Sequence, residues 1–276
     1  MTEAEAPRAV LTTGANSGIG LATVLEVARR GFRSVGTVRS EEKAEAVHKA
    51  AADAGVEVET LIMDVTDARA CGDAIRHLRP YGIVNNAGYP VTGAVEEVTD
   101  EQARAALETM VVAPMRLARL ALPYMRERRE GRIVNVSSIA GVATLPLVGW
   151  YHASKHALEA LTDALRMEVA GDGIKVVVIE PGGFKTGIWE EHEKEIAARA
   201  GSRFEGGYRR TLTFTRMTDP IMGEPARAAK VIAGALSGRW VRPRYLMGID
   251  ARAMALFSRL APAQIKDRVT RLLLDL

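Results

Sequence analysis

The chain has 276 residues, 47% of them apolar, which suits one well-buried core rather than several. Lysine and arginine exceed aspartate and glutamate by only three, and the basic runs Arg126–Arg129 and Arg239–Arg244 are broken by other residues, which argues against a nucleic-acid partner. A lone cysteine, Cys71, excludes an intrachain disulfide and reads as a small, half-buried helix residue.

In chain order, the opening MTEAEAPRAV lacks the basic flank and apolar stretch of a secretory signal. No apolar run reaches the roughly 18 residues of a membrane span, so a cytoplasmic protein is expected. Short β-rich runs follow at Ala9–Thr12, Ser34–Val38, Val56–Met63, Gly82–Asn85, Arg132–Ser137 and Lys175–Glu180. Between them, apolar residues at three-and-four spacing predict helices over Ile19–Arg30, Glu41–Ala54, Ala68–Leu78, Glu101–Arg128 and Tyr151–Val169, with Gly31 and Gly55 as stops. Strands such as KVVVIE are apolar at nearly consecutive positions, as when helices cover both faces of a sheet. The alternation predicts an α/β fold: one doubly wound parallel sheet, a single domain over residues 1–276. Past Pro181 it breaks, and the mixed, glycine-punctuated stretch 187–223 reads as an insertion or lid, with some helix, over a ligand. A helix near Glu224–Leu236, a short strand at Arg244–Met247 and a helical extension over residues 251–276 complete the chain.

In AVLTTGANSGIG, Gly14, Gly18 and Gly20 stand between the first strand and first helix, where small residues let backbone amides approach a pyrophosphate and Ser17 can add a hydroxyl. The same glycines also suit a tight turn with close strand–helix packing. Three further motifs follow: NNAG at Asn85–Gly88, Ser138, Tyr151 and Lys155 within NVSSIAG and YHASK, and PGGFKT at Pro181–Thr186. Together with the Thr-Gly-x-x-x-Gly-x-Gly spacing, this series resembles the classical short-chain dehydrogenase/reductase family. The resemblance implies a Rossmann fold and a nicotinamide dinucleotide held first by Thr13, Gly14, Asn16, Ser17, Gly18, Ile19 and Gly20. It adds Asn86, Ala87 and Gly88, then Tyr151 and Lys155, then Pro181, Gly182 and Thr186; no metal is expected. Cofactor choice is read in GTVRS, where Val38 stands in place of the acid that would bind ribose hydroxyls and Arg39 offers a guanidinium to a 2′-phosphate, so NADP(H) is expected. Arg39 also reads as a solvated loop cation. Asp64, with the Val65 amide, matches the family's adenine-binding position and competes with a helix N-cap role.

Tyr151 and Lys155, four apart, share one helix face, and an ammonium near a phenol favours the phenolate. The resemblance implies that Tyr151 is the catalytic acid or base, that Lys155 activates it and holds the nicotinamide ribose, and that Ser138 hydrogen-bonds the substrate oxygen. His152 and His156 are assigned to packing. The family's fourth member, a helix asparagine, is here Met110, whose thioether cannot replace an amide. The family asparagine largely sets a helix kink, which the main chain could keep with help from Pro114.

The stretch from Val241 resembles, more loosely, the branch containing hydroxysteroid and retinol dehydrogenases. With Leu145, Val148, Trp189 and Phe214 as pocket candidates, it points to a bulky lipophilic ketone, aldehyde or alcohol (steroid-, retinoid- or polyketide-like), a ketoreductase-type reaction. Family members associate through the two long helices, so a homodimer or homotetramer is expected; the tail could also lie on a membrane surface. Two other readings compete: an NADP(H)-binding regulatory protein with weak turnover, motivated by Met110, and a nucleotide-sugar epimerase or dehydratase, whose usual glycine spacing is absent.

Overall fold

The computed structural model describes residues 7–276; residues 1–6, where the amino-terminal segment read for a secretion signal begins, lie outside the described residues. The strands β1 (Ala9–Thr12), β2 (Arg33–Val38), β3 (Glu59–Ile62), β4 (Gly82–Asn85), β5 (Gly131–Val136), β6 (Ile174–Pro181) and β7 (Arg244–Met247) form one parallel sheet ordered β3-β2-β1-β4-β5-β6-β7. All six residues of β5 are buried, and Lys175 alone is exposed in β6. Such strands need cover on both faces, and the helices supply it.

The helices in chain order are α1 (Gly18–Arg29), α2 (Glu41–Asp53), α3 (Ala68–Leu78), α4 (Asp100–Leu107), α5 (Ala113–Arg128), α6 (Gly149–Glu168), α7 (Ile188–Ala197), α8 (Glu205–Thr218), α9 (Pro225–Ser237), α10 (Ile249–Leu260) and α11 (Ala263–Leu274). On one face, Val27 of α1 and Ile232 and Leu236 of α9 pack on Val10, Val84, Val134 and Val177 of the sheet. On the other, Ile75 of α3 and Leu117 and Met125 of α5 pack on Leu11, Ile83, Ile133 and Val176. Alternate residues of each strand thus enter opposite cores, which is the doubly wound arrangement.

Local chemistry sets the boundaries. Ser40 caps α2 by accepting from the Lys43 amide, and Asp67 caps α3 by accepting from the Arg69 and Ala70 amides at 2.8 and 3.0 Å. Thr99 and Gln102 close a reciprocal capping box on α4. Three expectations change. Asp64 caps no helix: its carboxylate turns back onto Thr66, and Asp67 takes the cap. The helix read over Glu101–Arg128 is interrupted by a π-turn at Glu108–Val112, with Met110 at its centre. Cys71 is fully buried rather than half-buried, its thiol against the Val65 carbonyl. Residues 187–223 hold α7 and α8. Among the described residues, no helix is long and apolar enough to cross a membrane.

Candidate active site

In the order β2-β1-β4-β5 the side on which successive strands are added switches between β1 and β4, and the loops that leave these two parallel strands are tied together there. The Thr13 hydroxyl accepts from the amides of Asn86 and Ala87, both at 3.0 Å. In return Asn86 Nδ2 donates to the carbonyls of Thr13 and Gly14 at 3.0 and 3.1 Å. Asn86 therefore braces the glycine loop with its side chain. The loop tolerates no added bulk: a Cβ on Gly20 would stand 2.1 Å from the Gly14 carbonyl oxygen, and Gly14 has φ +66°. Ser17 occupies the N-cap position of α1, yet its hydroxyl caps nothing, and the first turn holds no acidic residue. Free amides, a spare hydroxyl and the positive end of a helix fit a pyrophosphate. Asn16 is half-buried beside them, while the Ile19 side chain packs on the core. Thr186 closes the far side, its methyl 2.9 Å from where a Gly18 Cβ would be.

At the end of β2, Val38 is buried and Arg39 is exposed; Arg39 enters no ion pair among the described residues. Across the gap, hydrogen bonds from Thr66 hold the Asp64 carboxyl below its usual range. The Val65 side chain is buried beside it.

The reacting groups proposed from sequence come together on α6 and the loop after β5. The Ser138 hydroxyl lies beside the Tyr151 phenol and accepts from the Ala140 amide at 3.1 Å. Lys155 Nζ lies 5.7 Å from the Tyr151 ring centroid and donates to the Val136 carbonyl at 3.0 Å. Burial pushes the Tyr151 phenol up, opposed by the Ser138 hydroxyl. The expected net lowering by Lys155 is absent, because burial also lowers Lys155 to about 8 despite the opposing Glu159 carboxylate. His152 Nδ1 meets the carbonyls of Ala143 and Ala140 at 2.6 and 3.0 Å, so it carries the proton and holds the loop that ends at Ala143. His156 bonds the His152 carbonyl; both histidines serve packing, as expected.

Met110 is 1% exposed, in a cluster with Val91, Val98 and Ala106 against which Trp150 and Tyr151 pack. Its sulfur borders Gly88, at 3.4 Å from an added Cβ. The π-turn keeps a bend where the sequence lacks asparagine. Pro181 and Gly182 leave β6 beside β7, with the Gly182 amide donating to Met247 at 2.8 Å. Sequence reasoning missed Asp250, which accepts from the Gly183 amide at 2.7 Å and fixes that turn. It also missed Glu159, buried one turn beyond Lys155; the spacing within YHASKHALE was the available signal. Of the pocket candidates, Leu145, Val148 and Trp189 are half-buried, while Phe214 is 63% exposed.

The match to known proteins agrees with this geometry. A family model described as short chain dehydrogenase matches residues 8–197. The chain belongs to the short-chain dehydrogenase family. An uncharacterized oxidoreductase, YusZ of Bacillus subtilis, is 33% identical over 91% of this chain and 93% of its own. A 3-ketodihydrosphingosine reductase of Bacteroides thetaiotaomicron is 36% identical over 66% of each chain. The structure of the F189W actinorhodin polyketide ketoreductase with NADPH superposes with a TM-score of 0.76 at 28% identity, covering 87% of this chain and 94% of that one. As a short-chain dehydrogenase, the protein is an oxidoreductase acting on small molecules with a nicotinamide cofactor.

Proposed function

We propose that this short-chain dehydrogenase interconverts a ketone or aldehyde and an alcohol with NADP(H), on a bulky lipophilic substrate. The observation that carries the reading is the placement of the Ser138 hydroxyl beside the Tyr151 phenol, with buried Lys155 5.7 Å from the phenol ring. The cofactor would supply or accept the hydride. The protein's part is to bind, orient and move a proton. The glycine-loop amides and Ser17 hold the pyrophosphate, Arg39 the 2′-phosphate, and Asp64 with the Val65 amide the adenine. Lys155 would hold the nicotinamide ribose, and Thr186, beside Gly18, would lie against the cofactor. Ser138 donates to the substrate oxygen and Tyr151 gives that oxygen its proton during reduction, taking it back during oxidation. Residues 187–223 act as the lid. The names of the sphingoid and polyketide reductases, together with half-buried Leu145, Val148 and Trp189, support an apolar substrate.

Absorbance at the NADPH band, with a panel of lipophilic ketones, tests this. Tyr151→Phe is expected to lower kcat by about 1,000-fold while the protein still binds NADPH. Equal rates for the two proteins would remove Tyr151 from the reaction. Met110 favours a second reading, a regulator that binds NADP(H) and turns over weakly; the same panel identifies it by binding without hydride transfer in the wild type.

A further inference from the structure

Lys155 and Glu159 both lie on α6, four residues apart and each 5% exposed. Around Tyr151 the apolar Met110 cluster offers no charge, and the carboxylate that acts on Lys155 is that of Glu159. Glu159 is not loose. Arg244 of β7 ion-pairs with it, and the same guanidinium binds Glu180 of β6 at 2.6 Å and Asp163 one turn further along α6. Arg166 holds the other side of Asp163 at 2.5 Å. The remaining Glu159 oxygen, Oε1, has no well-aligned partner, nor does Ser137 Oγ of the β5 loop. Both border Gly141, where a Cβ would come within 3.0 Å of Oε1 and 2.7 Å of Oγ. Three strands and a glycine thus keep one carboxylate in a fixed, dry place behind the lysine. A buried carboxylate shared by a guanidinium that already serves two others is costly to hold for packing alone.

We propose that Glu159 is a positioning residue for the reaction: its carboxylate, clamped by Arg244, keeps Lys155 in the ammonium form and thereby keeps Tyr151 supplied with a usable proton. This rests on the carbonyl–alcohol reading above. The field is local, and it is switched by pH. Burial and the nearby Glu180 carboxylate push the Glu159 carboxyl up to about 7, opposed by Arg244 and the Ser137 hydroxyl, while burial brings Lys155 down to about 8. Glu159 is therefore ionised over the pH range in which Lys155 gives up its proton, and neutral in acid.

The test is a Cε chemical-shift titration of 13C-lysine in the ligand-free protein, with Lys155 assigned by Lys155→Arg, paired with the pH profile of kcat/KM for ketone reduction. In Glu159→Gln, which keeps the shape and an acceptor for Arg244, the Lys155 midpoint is expected to fall by about one pH unit. The alkaline limb of kcat/KM falls with it, and the two proteins converge below pH 6, where wild-type Glu159 is protonated too. Glu159→Asp restores the midpoint. Glu180→Gln removes a carboxylate from the same guanidinium and does not lower the midpoint, which separates charge supply from general loss of stability. Should Glu159→Gln not fold, Arg244→Gln probes the same link, since Glu159 then stays protonated to higher pH and Lys155 loses its field. Equal Lys155 midpoints in wild type and Glu159→Gln overturn the inference and leave the reading of Tyr151 standing. Full turnover in Tyr151→Phe would instead sink that reading, whatever the midpoint.

Discussion

Arg39 shows how much one side chain can decide. It follows a buried valine at the end of β2, stands exposed and engages no carboxylate among the described residues, so its charge is free for a ligand. A guanidinium on a phosphate makes charge-assisted bonds worth about 1.5–3 kcal/mol. Arg39→Ala should therefore raise KM for NADPH by about 10- to 100-fold and leave KM for NADH within about twofold. Steady-state assays with both cofactors decide this, and an equal loss for each would return Arg39 to the status of a solvated loop cation. Tyr151, Lys155 and Ser138 were legible because the motifs carrying them are short. The pairing of Glu159 with Arg244 was not, because the two lie 85 residues apart and meet only when β7 is placed beside β6. Asp250 escaped for the same reason, reaching Gly183 across 67 residues.

At the level of elements, nearly all strands and helices were readable from apolar spacing, and the failures have local causes. β3 is shorter than Val56–Met63 because it is an edge strand paired only along Val35–Val38. The π-turn at Glu108–Val112 was invisible, since one extra residue per turn hardly disturbs an apolar stripe. That turn decides what Met110 means. If the bend is held by the main chain, Met110→Asn should leave kcat equal or higher, while placing an amide in an apolar cluster costs about 1–3 kcal/mol, or about 5 °C in Tm. Loss of activity in a folded Met110→Asn protein would contradict a main-chain role for the bend. The stretch 187–223, proposed as a lid, makes a second case. Some helix was expected there, but the mixed composition gave no bounds for α7 and α8, and single polar residues fasten it: Tyr208 donates to Glu97 and accepts from the Ala94 amide at 2.6 Å, and Arg199 donates to the Thr92 carbonyl at 2.8 Å. Tyr208→Phe leaves the buried Ala94 amide unpaired, a cost of about 1–3 kcal/mol. Faster hydrogen exchange across Glu205–Thr218 and a several-fold higher KM for the ketone are expected, with NADPH affinity unchanged.

For the whole molecule, keeping a lysine dry at the centre of the fold has a consequence that stability measurements read directly. Lys155 is lowered by burial from an ordinary value of 10.5 to about 8. Below pH 8 it is protonated in both folded and unfolded chains, and folding bears the full cost of burying its charge. Between pH 8 and 10.5 the unfolded chain still binds the proton and the folded chain does not, so the unfolded state binds more protons and stability rises with pH across that window. The ceiling on the gain is about 3 kcal/mol. Other groups titrate there too, so the informative quantity is a difference. Urea unfolding of wild type and Lys155→Met from pH 7 to 11 should show the methionine variant more stable at pH 7 and the gap closing above pH 8. A gap that stays constant with pH would mean that Lys155 keeps its proton throughout. The alkaline decline of ketone reduction could then no longer be assigned to this lysine.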